Sequence, residues 1–253
     1  MASIDLNCDI GESFGAWSMG DDAGVMPWIT SANIACGFHA GDFSTMLQTV
    51  LLAKQRGVAI GAHVSLPDLQ GFGRREMRVS ANETHAMTLY QIGALDAFAR
   101  AAGTRVAHVK PHGALYNMAA RDRVLADAIA HAVHDFDSTL TLVGLANSEL
   151  TRAGESASLR VAHEAFADRH YEADGSLTPR NMPGAVIEDV DAAVAQAVKI
   201  TTTERVDIRT GGVLTLHADT LCVHGDRPDA ALLARRLHEG LVAAGITIAK
   251  GAG

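Results

Sequence analysis

The sequence predicts an α/β fold: a closed or nearly closed barrel of roughly seven parallel strands, in one domain over residues 1–253. Three observations lead there. Strand-like and helix-like stretches alternate from end to end, with no linker, repeat or low-complexity tract between them. Two strands carry polar residues along one face, Asp5, Asn7 and Asp9 in the first and His108, Lys110 and His112 in the fourth. Side chains two apart share a face, whereas a parallel sheet covered by helices on both sides reads apolar throughout. Finally, His, Asp and Glu gather at the ends of strands, where (β/α) barrels build their sites.

Strands are expected at 4–9, 33–37, 58–63, 106–111, 140–145, 159–164 and 221–225. Between them, apolar residues recur at helical spacing. Met46, Leu47, Val50, Leu51 and Ala53 form one stripe, closed by Gly57 as a left-handed cap. Ser80-Ala81-Asn82-Glu83 is a capping-box pattern, and the stripe behind it runs Leu89, Ile92, Leu95 and Phe98 to Gly103. Further stripes run from Val124 to Val133 and from Leu232 to Leu241, with Pro228 suited to the first turn of the latter. Thr215 to Val223, around Asp219, interrupts the alternation and reads as a hairpin feeding the final strand.

A formal net charge of −8, with no basic cluster beyond Arg74, Arg75 and Arg78, argues against nucleic acid as a partner. No apolar run approaches the roughly 20 residues of a membrane helix. Residues Met1 to Glu12 hold three acids and no base, unlike a signal peptide, so a cytoplasmic protein is expected. Cys8, Cys36 and Cys222 cannot all pair within the chain and read as reduced, buried thiols. A nucleophilic Cys36 is the lesser alternative.

His39, His63, His112 and His224 end strands and are expected in a site, while His85, His131, His134 and His238 fall on helices and read as solvated. Asp9 or Glu12 is either a general base or a cap of the turn that follows. Lys110 either neutralises an anion or pairs with Asp5 or Asp9. A metal held by His108 and His112 is set aside: Pro111 opposes a helix there, and four residues of strand span about 13 Å. A combination such as Asp9, His39 and His63 stays open, though no tightly bound metal is expected. The chain has no phosphate-binding G-x-x-x-x-G-K-[ST]. Gly71-Phe72-Gly73-Arg74-Arg75 reads equally as a flap over phosphates or as a solvated basic loop.

These segments together resemble the LamB/YcsF family over nearly the whole chain. The resemblance rests on Asp5 to Gly15, Ala32 to Asp42, Pro67 to Arg75, His108 to Asn117, Glu164 to Arg169 and Cys222 to Asp226. Two positions depart from the family pattern, Phe43 and Val64, where proline is more usual. The resemblance implies a distorted (β/α) barrel like those of glycoside hydrolases and deacetylases. It also implies ATP-dependent hydrolysis of 5-oxo-L-proline to L-glutamate, with ATP as cofactor (accompanied by Mg2+). In the family this is the work of an A subunit together with partner subunits B and C.

On that reading the expected catalytic residues are Asp9, Glu12, Lys110 and His112. The expected substrate-binding residues are Asn7, His39, His63, Arg74, His224 and Asp226. Asp9 or Glu12 would activate water, Lys110 with Arg74 would balance anionic charge, and the histidines would orient substrate or move protons. The alternatives are a metal-dependent carbohydrate deacetylase and a non-catalytic scaffold within a hydrolase complex.

Overall fold

A computed structural model describes residues 2–251. In chain order its strands are β1 (Ser3–Ile10), β2 (Ser31–Ala35), β3 (Ala59–Val64), β4 (Val106–Pro111), β5 (Thr141–Leu145), β6 (Arg160–Phe166), β7 (Arg205–Asp207), β8 (Val213–Thr215), β9 (Thr220–His224) and β10 (Thr247–Ile248). Strands β1 to β6 and β9 are parallel, and β9 pairs with both β6 and β1, which closes a seven-stranded barrel. The short β10 adds to the start of β1.

Closure explains the pattern of β1. Ile4, Leu6, Cys8 and Ile10 pack into the apolar layer beneath the helices, while the alternate residues Asp5, Asn7 and Asp9 face the lumen. Burying polar groups inside a barrel is tolerable only where they satisfy one another, and they do so here as described below. The helices are α1 (Asp22–Val25), α2 (Phe43–Arg56), α3 (Ala81–Ala101), α4 (Gly113–Ala119), α5 (Arg123–Asp137), α6 (Glu149–Ser156), α7 (Val190–Thr203) and α8 (Ala230–Ala243). Their starts are chemically marked. Asp42 accepts from the Thr45 N–H at 2.8 Å, and Ser80 with Glu83 forms the expected capping box. Gly57 ends α2 with φ +67°, as the sequence predicts.

Several expectations are corrected. The hairpin lies at β7–β8, ten residues before its predicted place, and 216–219 is a plain connection into β9. Strand β2 ends at Ala35, so Cys36 and Gly37 belong to the following loop, where Gly41 must take φ +76°. Pro228 precedes the Asp229 cap of α8 instead of lying in its first turn. His238 is not a solvated residue: its ring packs on Trp28, 5.7 Å between centroids, and Nδ1 faces the Trp28 carbonyl. All three thiols are free and buried, as expected. Among the described residues no helix is long and apolar enough to cross a membrane.

Candidate active site

Inside the barrel the polar faces interlock in layers. At the lower end Asp5 accepts from Thr30, Ser31 and Thr220 hydroxyls at 2.7, 2.6 and 2.5 Å. One level up, the Asn33 amide donates to Asn7 Oδ1 and Asp9 Oδ1, both at 2.8 Å, and its oxygen faces His108 Nε2 at 2.8 Å. Asn7 in turn donates to Glu164 at 3.0 Å and Thr220 at 2.6 Å. Asp5, Asn7 and His108 are therefore structural supports that face a small cavity of about 230 Å³ at the lower end. Asn7 does not reach the main cavity, contrary to its expected substrate-binding role.

Lys110 occupies the centre. Its Nζ meets Glu164 Oε1 at 2.7 Å, Asp9 Oδ1 at 2.9 Å and Cys222 Sγ at 3.1 Å, and it lies 5.7 Å from the Phe166 ring centroid. Burial opposes its charge, but Asp9, Cys222 and Glu164 overcome that and push its pKa well above the ordinary lysine value. Burial likewise would raise Asp9, yet His63 and Lys110 together hold its carboxyl well below the usual range. Lys110 thus contacts two carboxylates within the wall, and little of its charge is left for a bound anion.

Above this layer stand three histidines and Glu12. His63 Nδ1 donates to the Lys110 carbonyl at 2.9 Å, and its Nε2 faces Asp9 Oδ2 at 3.3 Å and His112 Nδ1 at 3.0 Å. His112 Nε2 donates to the Phe72 carbonyl at 2.8 Å. His39 lies flat on His112, 3.8 Å between centroids, with Nε2 3.2 Å from Glu12 Oε1. Burial, then neighbouring histidines, press His39 and His112 well below the ordinary imidazole value. Burial and Asp9 push Glu12 the opposite way. Neither Asp9 nor Glu12 caps the turn after β1; the Gly11 N–H there is accepted by Asp22.

The loop at 68–75 closes over the histidines. Asp68 pairs with Arg75 and accepts from the Gly71 N–H, and the Gly73 N–H donates to the Asp68 carbonyl. Gly73 has φ +64°, and a Cβ there would come within 2.8 Å of both His112 and His39, so only glycine lets the loop approach so closely. Arg75 points outward, while Arg74 lines the main cavity and pairs with Asp226 at 2.5 Å. That cavity, about 660 Å³, is floored by Asp9, His63, Lys110 and His112 and rimmed by Arg74, Arg169, Arg180 and His224. Its volume suits a small ligand. Glu12 and His39 lie behind the floor.

The rim holds residues the sequence reading did not single out. Arg169 donates to the Thr178 and Ala185 carbonyls and, like Arg180, has no carboxylate in ion-pair distance among the described residues. Burial first, and then Arg180, press the Arg169 guanidinium down to about 10. His224 Nδ1 sits 3.2 Å from both oxygens of Asp168, which also meets Arg227 at 3.4 Å. Glu164, Asp168 and Arg169 stand at the end of β6, inside one of the segments that carry the family resemblance, so their strand-end position was the available signal. Arg180 sits in an irregular segment with no periodicity to flag it.

The Asp168 contacts predict a pH dependence. Burial would raise its carboxyl, but His224 and Arg227 bring it down to about 2 from an ordinary 3.8. A depressed carboxylate adds stability above its unfolded value and loses it as pH falls toward the folded one. The expected contribution is about 2 kcal/mol, lost between about pH 4 and pH 2. Urea midpoints across that range should fall less steeply in Asp168→Asn than in the parent; equal slopes would refute this.

With that geometry in view, comparison with known proteins decides the family. The LamB/YcsF family model matches residues 4–253. The chain belongs to the LamB/YcsF family. Relatives include the 5-oxoprolinase A subunit of Tolumonas auensis, 56% identical over 248 residues covering 98% of this chain and 99% of the relative. That of Bacillus subtilis is 54% identical over 248 residues, covering 98% and 96%. The crystal structure of a lactam utilization protein from Thermus thermophilus superimposes with a TM-score of 0.93 at 48% identity, covering 98% and 99%. A deacetylase, T48, shares the fold alone, with a TM-score of 0.50 at 13% identity over 98% of this chain and 88% of its own. This family member therefore carries the deacetylase-like barrel that its sequence predicts.

Proposed function

We propose that this chain is the A subunit of a cytoplasmic, ATP-dependent 5-oxoprolinase, hydrolysing 5-oxo-L-proline to L-glutamate together with subunits B and C. The observation that carries the reading is a single cavity in which an ionised carboxylate, Asp9, lies below a rim of three arginines. Full-length similarity to proteins named as the A subunit of 5-oxoprolinase supports it.

The chemistry requires such a combination. A five-membered lactam is a stabilised amide and a poor electrophile. Transfer of the γ-phosphoryl group of ATP to its oxygen, releasing ADP, makes the ring carbon open to water. Attack by water and departure of the ring nitrogen with a proton leave an acyl phosphate, which a second water hydrolyses to glutamate and phosphate. Arg74, Arg169 and Arg180 supply positive charge for phosphoryl oxygens, in place of Lys110. Asp9 is kept ionised by His63 and Lys110 and orients the water, with His63 and His112 beside it to hold protons. ATP with Mg2+ is the cofactor of this reading.

The test is reconstitution of this chain with subunits B and C and measurement of ADP release that depends on 5-oxoproline. Activity should require all three subunits. No activity from a correctly assembled complex, or deacetylation of N-acetylated sugars by this chain alone, would overturn the reading.

A further inference from the structure

His63 and His112 each commit one nitrogen to a backbone carbonyl, Lys110 O at 2.9 Å and Phe72 O at 2.8 Å. A carbonyl only accepts, so those nitrogens carry the hydrogens. The remaining nitrogens, His63 Nε2 and His112 Nδ1, point at one another across 3.0 Å. Two lone pairs at that distance repel unless a cation lies between or beside them. Glu12 Oε1 adds a third electron pair 3.8 Å from His112 Nδ1. A proton between the two rings would serve those two nitrogens alone and leave Glu12 to His39, whereas one metal ion reaches all three.

The spacing fits an ion. Two nitrogens each about 2.1 Å from a tetrahedral ion lie about 3.4 Å apart, so the 3.0 Å pair need part by only about 0.4 Å to admit one. We propose that His63 Nε2, His112 Nδ1 and the Glu12 carboxylate form a binding site for one divalent ion of the zinc type, open toward the main cavity. Imidazole donors with one carboxylate select borderline ions such as zinc or cobalt over magnesium.

His39 is close enough to be counted a ligand, with its ring nitrogen in the same cluster. Its geometry says otherwise. Its ring is stacked on that of His112, tilted by only 8° and 3.8 Å away, so an ion in the plane of one ring lies out of the plane of the other. His39 instead donates from Nε2 to Glu12 Oε1 at 3.2 Å and positions that carboxylate. A neighbouring group, Asp9, Cys222 and His224, also brings ligand atoms together. There Lys110 Nζ already contacts Asp9 and Cys222, so a cation holds the place.

The site shares His63 and His112 with the reaction proposed above, but its test uses no substrate or nucleotide and so can fail without that reaction failing. Chelator-stripped full-length protein is titrated with zinc and with cobalt by calorimetry and absorption. One equivalent should bind, and His63→Gln and His112→Gln should each weaken it by at least about 100-fold. His39→Gln should weaken it by about tenfold, and the exposed His217→Gln should leave it unchanged. X-ray absorption on the unaltered zinc-loaded protein should show two imidazoles and an oxygen, a readout that does not depend on how variants fold. Absence of binding, binding that survives in both His63→Gln and His112→Gln, or a zinc–sulfur distance of about 2.3 Å pointing to Cys222, would each overturn the proposal.

Discussion

Replacing Lys110 by methionine is expected to abolish activity of the assembled complex and to destabilise the chain by about 3–5 kcal/mol. Lys110 is almost fully buried, and its ammonium contacts Asp9, Glu164 and Cys222. Methionine fills the volume but leaves two carboxylates facing one another in the lumen without a counter-charge. One of them then takes up a proton, or the layer opens to water. Either change displaces Asp9 and, through the 3.3 Å contact, His63. The parent gains stability from the raised lysine below its unfolded value and loses it as pH rises through the still higher folded one. Its alkaline unfolding should therefore contain a step that Lys110→Met lacks. Denaturant unfolding of the isolated chain measures the first effect, and a loss below about 1 kcal/mol, the scale of an exposed ion pair, would contradict the central role given to this ammonium.

Asp9→Asn is expected to lower turnover of the complex by about 10²–10⁴-fold, with a smaller loss of stability than Lys110→Met. Asparagine keeps an oxygen for the Asn33 and Lys110 donors, which now meet Asp9 at 2.8 and 2.9 Å. It loses the charge that water would feel and that attracts His63. The two variants should be strongly non-additive, because they share one contact. Steady-state kinetics with subunits B and C, alongside thermal unfolding, separates chemistry from folding. Turnover close to that of the parent would remove Asp9 from the mechanism.

Much of the barrel was legible because strand and helix periodicities differ and seldom mimic each other. All seven barrel strands fell within two residues of their predicted starts, and the capping box at Ser80 and Glu83 appeared as read. What failed was local. The β7–β8 hairpin has three-residue strands, too short for alternation to register. Helices α6 and α7 are absent from the stripes read in the sequence. In the site, strand-end position brought Asp9, His63, His112 and His224 to one cavity, together with Arg74 from its loop. It also gathered His39 and Glu12 behind the floor and left Asn7 a level below.

The sequence by itself determined the chain's family, its alternation of strand and helix, and the ends of strands where polar residues collect. Each of these is a short-range pattern, written in residues a few positions apart. Only the tertiary structure decided what those residues do to one another. Lys110 meets Asp9, Glu164 and Cys222 from three other strands, at sequence separations that no spacing rule reaches. Charge balance and proton placement follow from those contacts, because in a buried lumen each group's state is set by the nearest partners it can pair with. Closing the barrel chose the partners. It turned Lys110 from a candidate anion binder into the counter-ion of the wall, and moved the cationic rim to Arg74, Arg169 and Arg180.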